Sequence, residues 1–272
     1  MQPQRVILSG ASGWAGSALA RGMAQQADMQ LVGAVGHRNV GRALADALQL
    51  PALAGVVSAS AAEAIAQAAG CDVYVEYSKP HEIGMVKANI LAALAGGAHV
   101  VVGSSGLTDA DYAQIDVAAR DAHRGVLACG NFALTAVLLQ RFAEMAARYI
   151  PNFEVIDYAK DAKPDAPSGT GRELALRLGN VQQPALGVPL DKVNGPAGVR
   201  GATVNGVQVH AVRVPGFVLG IEAIFGMKDQ RLHLRHEAGS SAEPYVDGAL
   251  LAIRKVGQHT GVLRGLDKVM DI

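Results

Sequence analysis

Three short stretches carry residue types that could do chemistry. In VILSGASGWAG, Gly10, Gly13 and Gly16 recur at every third position. Such a loop permits a tight strand-to-helix turn and lets backbone N–H groups approach a pyrophosphate at a helix N-terminus. The spacing varies the commoner G-x-G-x-x-G, and its place after the first apolar run gives it weight. Ser12, Trp14 and Ala15 share the loop and join the glycines as candidate cofactor contacts. Trp14 could cover the pyrophosphate, stack on an adenine, or simply pack. The second stretch, GAVGHRN, holds His37 and Arg38 where an NAD site usually has a carboxylate. A carboxylate would repel a 2′-phosphate, whereas an arginine fork binds it with two hydrogen bonds. NADP(H) is therefore expected, with NAD(H) as the alternative. The third stretch is YAKDAKPDAPSGTG, Tyr158 to Gly171. Pro167 leads into Ser168, Gly169 and Thr170, and Thr170 and Glu173 have capping-box spacing. The backbone N–H groups of Gly169 and Thr170 could hold a carboxylate, and Lys163 adds a full positive charge. The bland alternative is a capped helix beside a surface lysine.

These stretches need a frame. RVILS, QLVGAVG, DVYVEYS, HVVVGSS and GVLACGN read as short, Val-rich strands apolar on both faces. Helical runs separate them: WAGSALARGMAQQ, ASAAEAIAQAAG with Ser60 and Glu63 spaced as a capping box, a run from about His81 to Ala95, and one opening after Thr108. Such alternation predicts a parallel sheet covered by helices on both sides. Two loops at strand ends should then face the cofactor: Tyr77, Ser78 and Lys79 in EYSKP, and Gly103, Ser104 and Ser105 in GSSGL. The pattern changes near Asn131. A long helix over LTAVLLQRFAEMAARYI, a strand FEVIDY and a short helix after Thr170 come first. A loop from about Gly179 to Arg200 precedes GVQVHAVRV, FVLGIEAIF and QRLHLRHEA, three strand-like runs with no helix between them. That predicts a second, α+β domain with an open mixed or antiparallel sheet. A helix near YVDGALLAIRKV and a short tail close the chain.

Composition narrows the partners. Lys plus Arg and Asp plus Glu both number 24 in 272 residues, which argues against gripping nucleic acid or anionic lipid. Cys71 and Cys129 sit in apolar runs and fit no zinc spacing, so they read as small core residues and no metal is expected. RVILSG begins within the first few residues, leaving no room for a signal peptide, and the apolar runs are too short to span a bilayer. A cytoplasmic protein is expected.

KPDAPSGT resembles the signature of the dihydrodipicolinate reductase family, and the resemblance extends through GASGWAG, YSKP, GSSGLT, GNFALTAVLL, VHAVRVPG, IFG and LRHEA, nearly the whole chain. It implies an N-terminal Rossmann-type domain of residues 1–130 and 241–272, and a substrate-binding and oligomerisation domain of residues 131–240. It also implies a homotetramer and hydride transfer from NAD(P)H to a cyclic, unsaturated dicarboxylate. Carried over, Lys163, Ser168, Gly169 and Thr170 take substrate-binding positions, and Asn131 and Phe132 join the cofactor contacts. The chain departs from the family pattern E-x-H-H-x-x-K-x-D-A-P-S-G-T in its opening stretch, which reads Asp157-Tyr158-Ala159-Lys160-Asp161-Ala162-Lys163. Ala159 stands where the family has its acid–base histidine, and Lys160 where a second histidine contacts a carboxylate.

Lysine can still bind a carboxylate, but alanine moves no proton. Tyr158 replaces the histidine only if the strand ends or bulges before it, because alternation turns neighbouring side chains to opposite faces. Lys163 is the better candidate, since a lysine beside other cations or partly buried gives up its proton more readily, and Lys160 would be one such cation. His210 and His236 read as hydrogen-bonded structural residues. The residues favour a reductase of this fold acting on a different small carboxylate, a cyclic imine or conjugated compound. The alternatives are the family's own lysine-pathway reaction with Lys163 alone, and a dinucleotide-binding protein without catalysis.

Overall fold

Short β-branched strands buried on both faces need helices on both sides, and the first half of the chain folds accordingly. The computed structural model describes residues 2–79, 83–196 and 198–272, and every count and absence concerns these. In order come β1 (Gln4–Ser9), α1 (Trp14–Ala24), β2 (Met29–Val35), α2 (Leu44–Leu48), β3 (Val57–Ser58), α3 (Ala61–Gln67), β4 (Val73–Glu76), α4 (Ile83–Ala95), β5 (His99–Val102), α5 (Asp109–Asp121) and β6 (Gly125–Ala128). The expected start of α4 at His81, and Pro80 of the YSKP loop, lie outside the described residues. The Ser60 hydroxyl caps α3 by accepting the Glu63 N–H, while the Glu63 carboxylate takes the Ala59 N–H. Thr108 and Asp111 form a complete capping box on α5.

The second half opens with α6 (Leu134–Ala147), β7 (Asn152–Ala159) and α7 (Gly169–Val181). It continues with β8 (Ala202–Val204), β9 (Val207–Arg213), β10 (Leu219–Met227) and β11 (Gln230–Ala238), and closes with α8 (Val246–Lys255) and β12 (Gly261–Arg264). The short helix expected after Thr170 starts one residue before it and runs 13 residues. Its cap is Ser168 rather than Thr170, because Ser168 is the extended residue whose hydroxyl reaches the Gly171 N–H.

Two compact units result, one running up to Leu134 and resuming over Ala242–Ile272, the other Thr135–Ser241. The first holds a parallel sheet of order β12-β6-β5-β4-β1-β2-β3. Strand order reverses beside β1, so the loops after β1 and β4 open a crevice at their carboxyl ends. Residues of α3, α4 and α5, among them Ala64, Ile90 and Ile115, pack on one face against Ile7, Tyr74 and Val100. On the other face α8 returns against α1 and β5. The second unit holds a mixed sheet of order β11-β10-β7-β9-β8, parallel only between β7 and β9. Its core lies on one face, where Leu139 and Ala143 of α6 and Leu174 and Leu178 of α7 meet Val155, Val209 and Phe225. The opposite face carries Glu154, Tyr158, Glu222, His233 and Arg235, with no described helix over it.

Candidate functional site

The glycine loop is built by close approach. Gly10 turns at φ 71°, and a Cβ there would sit 2.5 Å from the Tyr77 carbonyl oxygen. Gly13 donates its N–H to the Gly10 carbonyl at 2.9 Å. A Cβ on Gly16 would lie 2.2 Å from that same carbonyl oxygen, so α1 packs its first turn directly on the loop. Its N-cap, Gly13, brings no capping side chain, and the first turn holds no acidic residue. The amides of the first turn of α1 therefore meet no capping side chain and no competing carboxylate at the positive end of the helix dipole. Ser12 is exposed beside them.

The strand-end loops are tied to this one by hydroxyls. Ser9 and Ser78 share a 2.7 Å hydrogen bond between their Oγ atoms. Ser104 donates to the carbonyls of Ser78 at 2.7 Å and Glu76 at 3.2 Å. Beneath them Glu76 is wholly buried, accepting the Ser78 N–H at 2.8 Å and the Tyr74 hydroxyl at 3.2 Å. Burial raises its carboxyl above the ordinary range. The Tyr77 ring tilts against Phe132 with centroids 5.5 Å apart, and burial holds its phenol well above 10. Asn131 fixes its turn by accepting the Ala133 N–H at 2.9 Å. A cleft of about 230 Å³ runs past Trp14, Ala15, Tyr77, Gly103, Asn131 and Phe132. Of the sequence candidates, Lys79, Ser105, His37 and Arg38 are exposed, and Arg38 lies three residues beyond the end of β2. Trp14 is 60% exposed and meets the Tyr245 ring edge-on at 5.7 Å.

The cleft shows three lining residues that sequence reasoning missed, Cys129, Gly130 and Tyr245. Tyr245 comes from the segment before α8, and only the return of the chain brings it here. Cys129, expected in the core, lines the cleft just past β6, and burial raises its thiol. Burial likewise pushes the Cys71 thiol up to about 12.

The second candidate site lies between β7 and α7. The strand is regular to its end, so Asp157 and Ala159 point to the covered face and Tyr158 to the other. Asp157 is fully buried and accepts the Ser168 N–H at 2.8 Å and the Ser168 hydroxyl at 2.5 Å. Arg213, at the end of β9, completes the pair with Nη2 2.7 Å from Asp157 Oδ2 and 2.7 Å from the Asp165 carbonyl oxygen. Ser168 is thus occupied as the cap of α7. The Gly171 N–H goes to its hydroxyl and the Arg172 N–H to its carbonyl. That leaves the amides of Gly169 and Thr170 at the head of α7, with open space where a Gly169 side chain would stand. Lys163 pairs with Asp165 at 2.9 Å, and the lysine's hydrogen bond holds the Asp165 carboxyl below its usual range. Lys160 is exposed, and its carbonyl takes the Lys163 N–H at 3.1 Å.

No titrating group stands where Ala159 does, for the alanine is 0% exposed. Tyr158 is turned away, donating to Glu222 at 2.8 Å under the Arg235 guanidinium, and burial together with Glu222 raises its phenol above 10. His210 bonds Glu154 at 2.7 Å, and His236 bonds the Thr135 hydroxyl at 2.9 Å. Asp157 and Arg213 were legible in part: an acid on the apolar face of an alternating strand demands a buried cation, but the strand does not say which one.

The family model described as dihydrodipicolinate reductase, N-terminus, matches residues 4–132, and that described as dihydrodipicolinate reductase, C-terminus, matches residues 135–270. The chain is 35% identical over 271 residues to a protein of Desulfitobacterium hafniense (strain DSM 10664 / DCB-2) named 4-hydroxy-tetrahydrodipicolinate reductase, covering 100% of both. It is 36% identical over 268 residues to the protein of that name in Moorella thermoacetica, covering 98% of both. Among solved structures, the dipicolinate-bound dihydrodipicolinate reductase of Paenisporosarcina sp. TG-14 superposes with a TM-score of 0.87 at 27% identity, over 99% of this chain and 100% of that one. The chain belongs to the dihydrodipicolinate reductase family and is an NAD(P)H-dependent oxidoreductase of that family.

Proposed function

We propose that the protein carries out the reaction its relatives are named for, the reduction of 4-hydroxy-tetrahydrodipicolinate, with NADPH as the preferred reductant. The observation that carries this is the anion loop, where Lys163 and the amides of Gly169 and Thr170 are held on one hydrogen-bond network whose centre, Asp157 with Ser168, is buried. Such a set suits a small dicarboxylate: helix-terminal amides for one carboxylate, an ammonium for charge and proton. The glycine contacts at Gly10 and Gly16, with the uncapped start of α1, suit a pyrophosphate, and the 230 Å³ cleft suits the rest of a dinucleotide. A reduced nicotinamide bound there supplies hydride. Lys163 would leave Asp165 for the substrate carboxylate and pass one proton to the atom next to the carbon reduced, so that hydride and proton saturate one double bond. Water then reprotonates Lys163. Ser168 acts through position, as cap and Asp157 partner, while Lys160 offers a second charge at the rim. The exposed Arg38, with His37, reads a 2′-phosphate. As part of the same proposal the protein is a cytoplasmic homotetramer whose copies meet through the helix-free face of the second sheet.

One observation favours a second reading. Ala159 presents a methyl group to a closed interior. An iminium takes hydride without an added proton, so a different cyclic imine that takes its proton from solvent before it binds would need no acid there. Turnover decides between the two. NADPH oxidation is measured with the lysine-pathway substrate and with a panel of cyclic imino acids, for the wild type and for Ala159→His combined with Lys160→His. The first reading expects wild-type turnover of ~1–10³ s⁻¹, ordinary for a metabolic enzyme, with no gain from the double substitution. Slow turnover that rises tenfold or more in the double variant would reverse the assignment. Because position 159 is fully buried, the variant's melting temperature is recorded alongside.

A further inference from the structure

The anion loop is organised from a strand outside it. Arg213 ends β9, where it is paired in register with Ala159. Besides the two 2.7 Å contacts of Nη2, its Nη1 donates to the carbonyls of Val212 at 2.9 Å and Asp157 at 3.2 Å. The two Nη2 contacts fix different halves of the site. One passes through the Asp157 carboxylate to both donors of Ser168, whose hydroxyl sets the first turn of α7 and so the amides of Gly169 and Thr170. The other pins the backbone of Asp165, whose carboxylate holds Lys163. Both oxygens of Asp157 are engaged and its side chain is 1% exposed, which leaves it no role as acid or base.

A purely architectural role accounts poorly for this arrangement. β7 and β9 are already paired through residues 155–159 and 209–213 by their own backbones. What Nη2 adds reaches beyond the strands, to the Asp165 carbonyl directly and to Ser168 through the Asp157 carboxylate. We infer that Arg213 is a positioning residue for dicarboxylate binding, setting the distance between Lys163 and the head of α7 through the two hydrogen bonds of Nη2, while Nη1 anchors the guanidinium on the strand carbonyls of Asp157 and Val212. Lysine is a poor replacement, because a single ammonium on a flexible stem cannot reach Asp157 Oδ2 and the Asp165 carbonyl while a second nitrogen holds the Asp157 and Val212 carbonyls. The inference rests on the anion-site reading of the loop.

The test uses full-length Arg213→Lys and Asp157→Asn. Pyridine-2,6-dicarboxylate binding is measured by calorimetry on NADPH-saturated protein, alongside NADPH affinity, KM and kcat, and deuterium exchange of residues 160–171. The expected result is a tenfold or greater loss of dicarboxylate affinity with a matching rise in KM. NADPH affinity should stay within twofold, and exchange should quicken in residues 160–171 but not in β10. Dicarboxylate binding equal to wild type in both variants overturns the inference. So does exchange that rises evenly across the second unit while KM is unchanged, the mark of a role in folding alone. If Arg213→Lys fails to fold, Asp157→Asn is judged by the same criteria, since it keeps the shape of the hub and removes its charge. A wild-type protein that binds no dicarboxylate overturns the anion-site reading together with this role, which sets it apart from failure of the clamp alone.

Discussion

At the scale of single residues, the proposed preference for NADPH rests on charge at the end of β2. His37 and Arg38 stand there, and no acidic residue lies between Val35 and Arg42 to favour a bare ribose. Arg38→Ala should weaken NADPH binding by about 1.5–3 kcal/mol, the worth of a charged hydrogen bond, and leave NADH binding nearly unchanged. Fluorescence titration with both cofactors checks this, and equal losses would show that Arg38 does not read the 2′-phosphate. The residue Arg38 resembles least is Arg213. One is exposed on a loop and available to a ligand; the other is spent on four oxygens inside the fold.

Among the elements, α1 and α7 present their N-termini by different means. α7 has a side-chain cap, Ser168, that leaves the two amides nearest its start available. α1 has none, and depends on glycines that let the helix sit on the loop it follows. Gly16→Ala tests that dependence. Its methyl would meet the Gly10 carbonyl oxygen at 2.2 Å, backbone against backbone, so the helix start must shift. The expected cost is about 1–3 kcal/mol of stability, as for other overpacked sites, with several-fold weaker cofactor binding. A variant with unchanged melting temperature and unchanged NADPH affinity would mean that the first turn of α1 has slack the geometry does not display.

For the whole molecule, stability should follow two histidines. Burial lowers the pKa of His99, with Arg124 and His259 adding to the effect and Asp72 opposing it. Burial also lowers that of His236, opposed by Glu237. Both folded values therefore lie below the unfolded value of about 6.5. The neutral forms favour the fold: their contribution is complete above about pH 6.5 and is lost as the pH falls through the folded values. His99 Nδ1 accepts the Gly125 N–H at 2.9 Å, a bond that a proton on that nitrogen abolishes. The melting temperature should thus fall between pH 7 and pH 5. His99→Asn, whose amide oxygen can accept the same N–H, should flatten part of that fall. A pH profile identical to wild type would place the sensitivity elsewhere.

The sequence by itself determined the features that depend on local periodicity and spacing. Val-rich runs separated by helical ones predict a covered parallel sheet, and GASGWAG after the first run marks its glycine-built strand-to-helix turn. Alternation along FEVIDYA also determined that Tyr158 faces away from Ala159, because the side-chain period of a strand is two. Elements too short to show a period escaped: α2 has five residues and β3 two. The cap of α7 was misplaced because Ser168 and Thr170 both have capping chemistry, and only the path of the chain past Asp157 decides which hydroxyl reaches the helix start. Tertiary structure alone decided the rest of the site. Arg213 is 56 residues from Asp157, and Tyr245 lies on a segment that returns to a sheet begun at Gln4. A buried carboxylate announces that a cation must come to it, since an uncompensated charge in the interior is too costly. Which cation comes is settled by strand pairing, and that is a property of the folded sheet rather than of any stretch of sequence.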